Sequence, residues 1–122
     1  MAGFTDQPDA SDTESLLSER RRRYLLYCLH MYANPLRLPD IAHQVTVWER
    51  PDRPGVCLKA RLETYMSLYY DHLPKLASAD LVRYEQAEDM VELGPDADRL
   101  RPSLQARLER DIDDLLGAEG PV

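Results

Sequence analysis

The chain has 122 residues, enough for one hydrophobic core and one extra helix rather than two domains. Against 15 lysines and arginines stand 22 aspartates and glutamates, and the net charge of -7 argues at first against a nucleic-acid partner. Cys28 and Cys57 are the only cysteines, with no Cys/His cluster to close a zinc site, and no apolar run approaches the ~20 residues that span a bilayer, so a reduced cytoplasm is the expected setting.

In chain order, residues 1–13 are rich in Asp, Ser and Pro with little to bury and are expected to form a flexible acidic tail. Ser18 then reads as the N-cap of a first helix over 18–32, carrying Tyr24, Leu25, Cys28, Leu29, Met31 and Tyr32 at helical spacing. Leu26 and Tyr27 make that helix apolar on more than one face, which suggests a second body packed against it. Asn34-Pro35 ends the helix, Leu36-Arg37-Leu38 offers one short strand, and Pro39 opens a second helix to Glu49 with Ile41, Ala42, Val45 and Trp48 inward.

After the Arg50 to Gly55 loop, a third helix begins near Cys57, with Leu58, Leu62, Tyr65, Met66, Tyr69 and Leu73 expected inward. Pro74 predicts a kinked or separate continuation from Leu73 to Ala79. Leu81 to Tyr84 and Met90 to Leu93 read as a hairpin over the polar tip 85–89, and Asp80 as a turn residue able to reach the left-handed conformation. Past Gly94-Pro95, Leu100, Leu104, Leu108, Ile112 and Leu115 form the stripe of a C-terminal helix ending at Gly117. The resulting organisation is a tail (1–13), a core domain (14–94), a helix for dimerisation (95–117) and a last tail (118–122).

Helix, short strand, helix, loop, helix and hairpin is the order of a winged helix-turn-helix: mainly α with a small β-hairpin wing, here with an added C-terminal helix. Lysine occurs only at positions 59 and 75, and aspartate outnumbers glutamate thirteen to nine, a balance like that of extreme halophiles. In molar salt the Debye length falls to ~3 Å, so an acidic total does not exclude DNA.

The stretches Leu17-Ser-Glu-Arg-Arg-Arg-Arg-Tyr-Leu-Leu26, Tyr65-Met-Ser-Leu-Tyr69 and His72-Leu-Pro-Lys-Leu-Ala-Ser-Ala-Asp-Leu-Val82 resemble the winged-helix domains of haloarchaeal transcription regulators. The resemblance implies a homodimer on a partly palindromic DNA site, and within that group a role in the reactive-oxygen-species response. The residues themselves point the same way. Lys59, Arg61, Thr64 and Ser67 are expected on the outward face of the third helix, with Arg61 placed to read a guanine and Lys59 to meet phosphate. Arg50 and Arg53 in the loop, and Arg83 and Gln86 on the wing, are expected beside the backbone. Arg20 to Arg23 are consecutive, so at most two can face one duplex.

The dimer seam is expected from Leu25, Leu26 and Leu29 of the first helix with Leu100, Leu104, Leu108, Ile112 and Leu115 of the last. Cys57 near a helix start is a candidate for a lowered thiol pKa, against the simpler expectation of a quiet buried cysteine. No nucleophile elbow, phosphate loop, metal motif or carboxylate pair is recognisable, so no enzyme, cofactor or metal is expected. The alternative is a winged helix that binds a protein partner through its third helix inside a transcription complex.

Overall fold

The computed structural model describes residues 10–51, 53, 55 and 57–118, and the parts of the expected tails (1–13 and 118–122) at 1–9 and 119–122 lie outside them. Its elements are α1 (Ala10–Leu17), α2 (Arg20–Met31), β1 (Leu36–Arg37), α3 (Leu38–Glu49), α4 (Leu58–Ser67), α5 (Leu73–Ser78), β2 (Val82–Glu85), β3 (Met90–Leu93) and α6 (Arg101–Ala118). A π-helical turn, Leu68–His72, joins α4 to α5, and a 3-10 turn, Ala97–Leu100, leads into α6. The protein is thus mainly helical with one small sheet.

The first helix is two helices, and residues 10–13, expected in the flexible tail, belong to α1. The Ser18 hydroxyl, expected to cap, donates back to the Ser15 carbonyl at 2.7 Å and helps close α1. Glu19 becomes the N-cap of α2, without a side-chain cap bond. Leu17 anchors α1 in the core, and the Arg107 guanidinium ties its flank to Glu14 at 2.7 Å.

Helix α2 is central, touching α1, α3, β3, the π turn and α6, and that is why Tyr24 to Leu29 are apolar and buried on every face. Leu25, Leu26 and Leu29 are fully buried within the single chain, as are Leu100 and Leu104 of the C-terminal stripe. These five residues of the expected seam are corrected to the monomer's own core. Leu108 packs on its edge, Leu115 is half-buried, and Ile112 and Leu116 are the exposed large apolar side chains of α6.

The sheet is antiparallel in the order β1-β3-β2, with Leu36 opposite Val91 and Val82 opposite Leu93. The hairpin tip is four residues, 86–89, with Asp89 at φ 54. Asp80 takes the left-handed conformation expected of it, at φ 62. That turn folds so tightly on the strand exit that a Cβ at Gly94 would sit 2.5 Å from the Asp80 carbonyl oxygen, so glycine is required there. Pro74 lies in the first turn of α5, and the wide turn just before it takes up the break in the α-helical ladder.

Candidate nucleic-acid interface

Helices α3 and α4 meet where their side chains are small. Ala42 and Thr46 of α3 and Ala60 and Thr64 of α4 are all buried, which lets the two backbones approach closely. Thr46 Oγ1 lies 2.9 Å from Thr64 Oγ1, and the Ala42 and Ala60 carbonyls accept from the same two hydroxyls. Thr64, expected to reach bases, is therefore corrected to a core position: it is only 1 % exposed.

That contact fixes the rotation of α4. The outward face carries Leu58, Leu62 and Met66, which are 69, 54 and 47 % exposed, the reverse of the inward role expected for them. Tyr70 of the π turn continues the ridge four residues on. Lys59 and Arg61 are exposed as expected, but Arg61 lies on the flank toward His43, Tyr65 and Asp89. Half-buried Ser67 lies on the opposite flank with Glu49, His72 and Lys75, so the four expected contacts do not share one face.

Arg50 and Arg53 are exposed in the loop that enters α4, and Arg53 N–H returns to the Arg50 carbonyl at 3.1 Å. Cys57 is exposed, not buried, and its Sγ caps α4 by accepting from the Ala60 amide at 3.4 Å. Cys28 is the buried cysteine, and burial pushes its thiol up to about 12, so it stays protonated and inert at neutral pH.

The hairpin is fastened to α4 by a cluster that the sequence reading did not pick out. Tyr65 and Tyr84 both donate to the Asp89 carboxylate, Tyr65 at 2.7 Å, and Asp89 C=O accepts from the Leu38 amide at 2.8 Å. Desolvation and the hydrogen bond to Asp89 raise the pKa of both phenols. Tyr69 stacks on Tyr65 and meets Tyr84 edge-on, while Gln86 Nε2 donates to the Tyr69 hydroxyl at 3.2 Å. The spacing of four between Tyr65 on α4 and Tyr69 in the π turn, with Tyr84 on the facing strand, was the available signal. Arg83 and Gln86 are exposed, but Glu85, Glu88 and Glu92 are exposed beside them, so this edge is acidic overall.

Charge is distributed unevenly over the molecule. Arg21, Arg23, Arg99, Arg101 and Arg107 each pair with a carboxylate on the helical body. Among the described residues, none from 50 to 93 takes part in an ion pair, so Arg50, Arg53, Lys59 and Arg61 at the entry to α4 have no ion-pair partner among them. Of the four consecutive arginines, Arg21 holds Glu49, Arg22 holds His72, Arg23 holds Asp111, and only Arg20 is exposed.

A family model described as a domain of unknown function, DUF7344, matches residues 14–92. Neither a curated protein nor a solved structure matches the chain. No helix among the described residues is long and apolar enough to cross a membrane.

Proposed function

The chain belongs to the DUF7344 family, whose description assigns no activity, and we propose that it is a winged helix-turn-helix transcription regulator that binds double-stranded DNA. In this reading α3 and α4 are the helix-turn-helix, α4 enters the major groove, and β2–β3 is the wing. The observation that carries it is the group of four exposed cations, Arg50, Arg53, Lys59 and Arg61, at one end of α4 in a protein of charge -7, none of them in an ion pair among the described residues. In this reading Arg61 reads a guanine from the flank of α4, and Leu58 and Leu62 make apolar contact with thymine methyl groups. The acidic hairpin tip stands off the phosphates, so affinity comes from the loop and the start of α4.

Two-fold binding to a partly palindromic site remains part of the proposal, with its contact moved to Ile112 and Leu116, the side chains of α6 left uncovered by the monomer. Selection from a randomised duplex pool in high potassium, with Arg61→Ala alongside, tests the reading. Enrichment of a defined motif that Arg61→Ala relaxes at one position supports it, and no enrichment by the wild-type protein sinks it.

The ridge of Leu58, Leu62, Met66 and Tyr70 favours a second reading, a winged helix that docks a protein partner through α4. Leu58→Ser with Leu62→Ser separates the two. Loss of a protein complex with duplex binding intact selects the second, and loss of A·T preference in the selected motif selects the first.

A further inference from the structure

Helix α2 begins against the usual electrostatics. Its N-terminus is the positive end of the helix dipole, where acidic residues and side-chain caps are favourable. Here the first turn is Arg20-Arg-Arg-Arg23, no acidic residue lies in it, and the N-cap Glu19 makes no side-chain cap bond.

Two of these arginines have carboxylate partners in Glu49 and Asp111. Arg22 does not. Its Nε donates to His72 Nδ1 at 3.1 Å and its Nη1 to the Leu16 carbonyl at 3.5 Å, while its Nη2 has no protein acceptor among the described residues. Only a neutral imidazole can accept at Nδ1, so His72 supplies a lone pair and no counter-charge. Arg22 is 8 % exposed, and since no fully buried side-chain nitrogen or oxygen among the described residues lacks a hydrogen-bond partner, its Nη2 is open to solvent and free to take an acceptor there.

Arg22 lines an open cleft of about 590 Å³ together with Arg20, Arg21, Lys75, His72, Ser67, Glu19, Glu49 and Asp71. The bidentate pair with Arg21 occupies Glu49. Three cations, Arg20, Arg22 and Lys75, then face two carboxylates, Glu19 and Asp71, none of the five in an ion pair among the described residues. The π turn contributes Asp71 and His72 to the wall, and such turns recur at functional sites. Burial first, and then the charge of Arg22, depresses the pKa of His72, with Asp71 and Glu19 pulling it back up and Arg21 adding to the depression.

We infer that this cleft binds a phosphate-class oxyanion, held by Arg22 Nη2 with Arg20 and Lys75 and by the Ser67 hydroxyl. The inference goes beyond the DNA reading and does not depend on it, because the phosphoryl group can belong to a small molecule or to a duplex backbone. Ser67 is the last residue of α4, so an occupied cleft touches the proposed reading helix at the end away from its cations.

The test is an NMR titration of the full chain with inorganic phosphate at constant ionic strength, following the His72 ring protons. Saturable shifts are expected, with a rise in the His72 pKa as the oxyanion offsets Arg22, and Lys75→Gln is expected to weaken binding about tenfold. Lys75 is exposed, so this variant keeps the fold even if Arg22→Gln does not. A duplex arm then distinguishes the source: competition between duplex and phosphate, lost in Lys75→Gln, identifies a backbone phosphate, and phosphate binding indifferent to duplex identifies a small ligand. Shifts that do not saturate, or that are the same in Lys75→Gln, overturn the site whatever the outcome of the duplex selection.

Discussion

Arg23 on α2 and Asp111 on α6, 88 residues apart, form a buried two-pronged pair, Nε to Oδ2 at 2.8 Å and Nη2 to Oδ1 at 3.0 Å. The Tyr27 hydroxyl adds a third donor to the same carboxylate at 2.7 Å. This pair locks the last helix onto the centre of its own chain. A partner that needed the inner face of α6 would have to break it.

Asp111→Asn is expected to destabilise the fold by about 3–5 kcal/mol, since it strands a buried arginine. Its pH signature is separate. Burial disfavours the Asp111 charge, but the hydrogen bonds from Arg23 and Tyr27 outweigh it and hold the carboxyl below its ordinary value. A depressed folded pKa gives stability that is complete above the unfolded value, about 3.9, and is lost as pH falls through the folded one. Urea unfolding between pH 6 and 2 checks this, and a variant whose stability falls as steeply with acid as the wild type would contradict it.

The Thr46–Thr64 contact makes a sharper prediction about which way α4 faces. Thr64→Val alone leaves the Thr46 hydroxyl without one partner in a dry contact and is expected to cost about 1–2 kcal/mol. Thr46→Val with Thr64→Val removes both hydroxyls at constant shape, so its cost is expected below the sum of the singles. Additive losses in a double-mutant cycle would mean that the two hydroxyls are not coupled.

That same contact explains what the sequence left open. Apolar residues at 58, 62, 65, 66, 69 and 73 satisfy helical spacing for more than one inward face, so periodicity alone could not choose. The choice lies in the small residues Ala60 and Thr64, whose value appears only when Ala42 and Thr46 stand opposite. In α2, apolarity on every side was legible, but a helix wrapped by its own chain and one shared with a second subunit have the same pattern. The element order, the turn at Asp80, the hairpin and the strand at Leu36 were legible because proline, a left-handed turn and alternation are local signals. Asp89, joined to Tyr65 and Tyr84 from two elements, had no local signal.

Gly94→Ala is expected to destabilise by about 1–3 kcal/mol, because a methyl group there meets backbone rather than a flexible side chain. The Gly94 amide donates to the Leu81 carbonyl at 2.8 Å, so relief by shifting the strand exit would also lengthen that bond. Thermal unfolding measures the loss, and hydrogen exchange at Gly94 shows whether the turn has opened. An unchanged melting temperature would show that the Asp80 turn can move aside.

The DNA reading fixes a number for salt dependence. Each phosphate neutralised in B-DNA contributes about 0.9 to the slope of log affinity against log salt. The proposed contact offers three cations per protomer for phosphates, Arg50, Arg53 and Lys59, none of them in an ion pair among the described residues, with Arg61 on a base. One protomer should therefore show a slope no steeper than about -2.7, and two protomers on a palindromic site about -5.4. Arg53→Gln, remote from the apolar ridge, should lower the slope by about 0.9 per protomer and weaken all sequences alike, whereas Arg61→Ala should change base preference at one position by about 1–3 kcal/mol. A steeper protomer slope would require cations outside this group; Arg37 and Arg83 by the sheet, Arg110 on α6, and Arg20 and Lys75 of the cleft are also exposed, and the same titration on Lys75→Gln tells whether the duplex reaches the cleft.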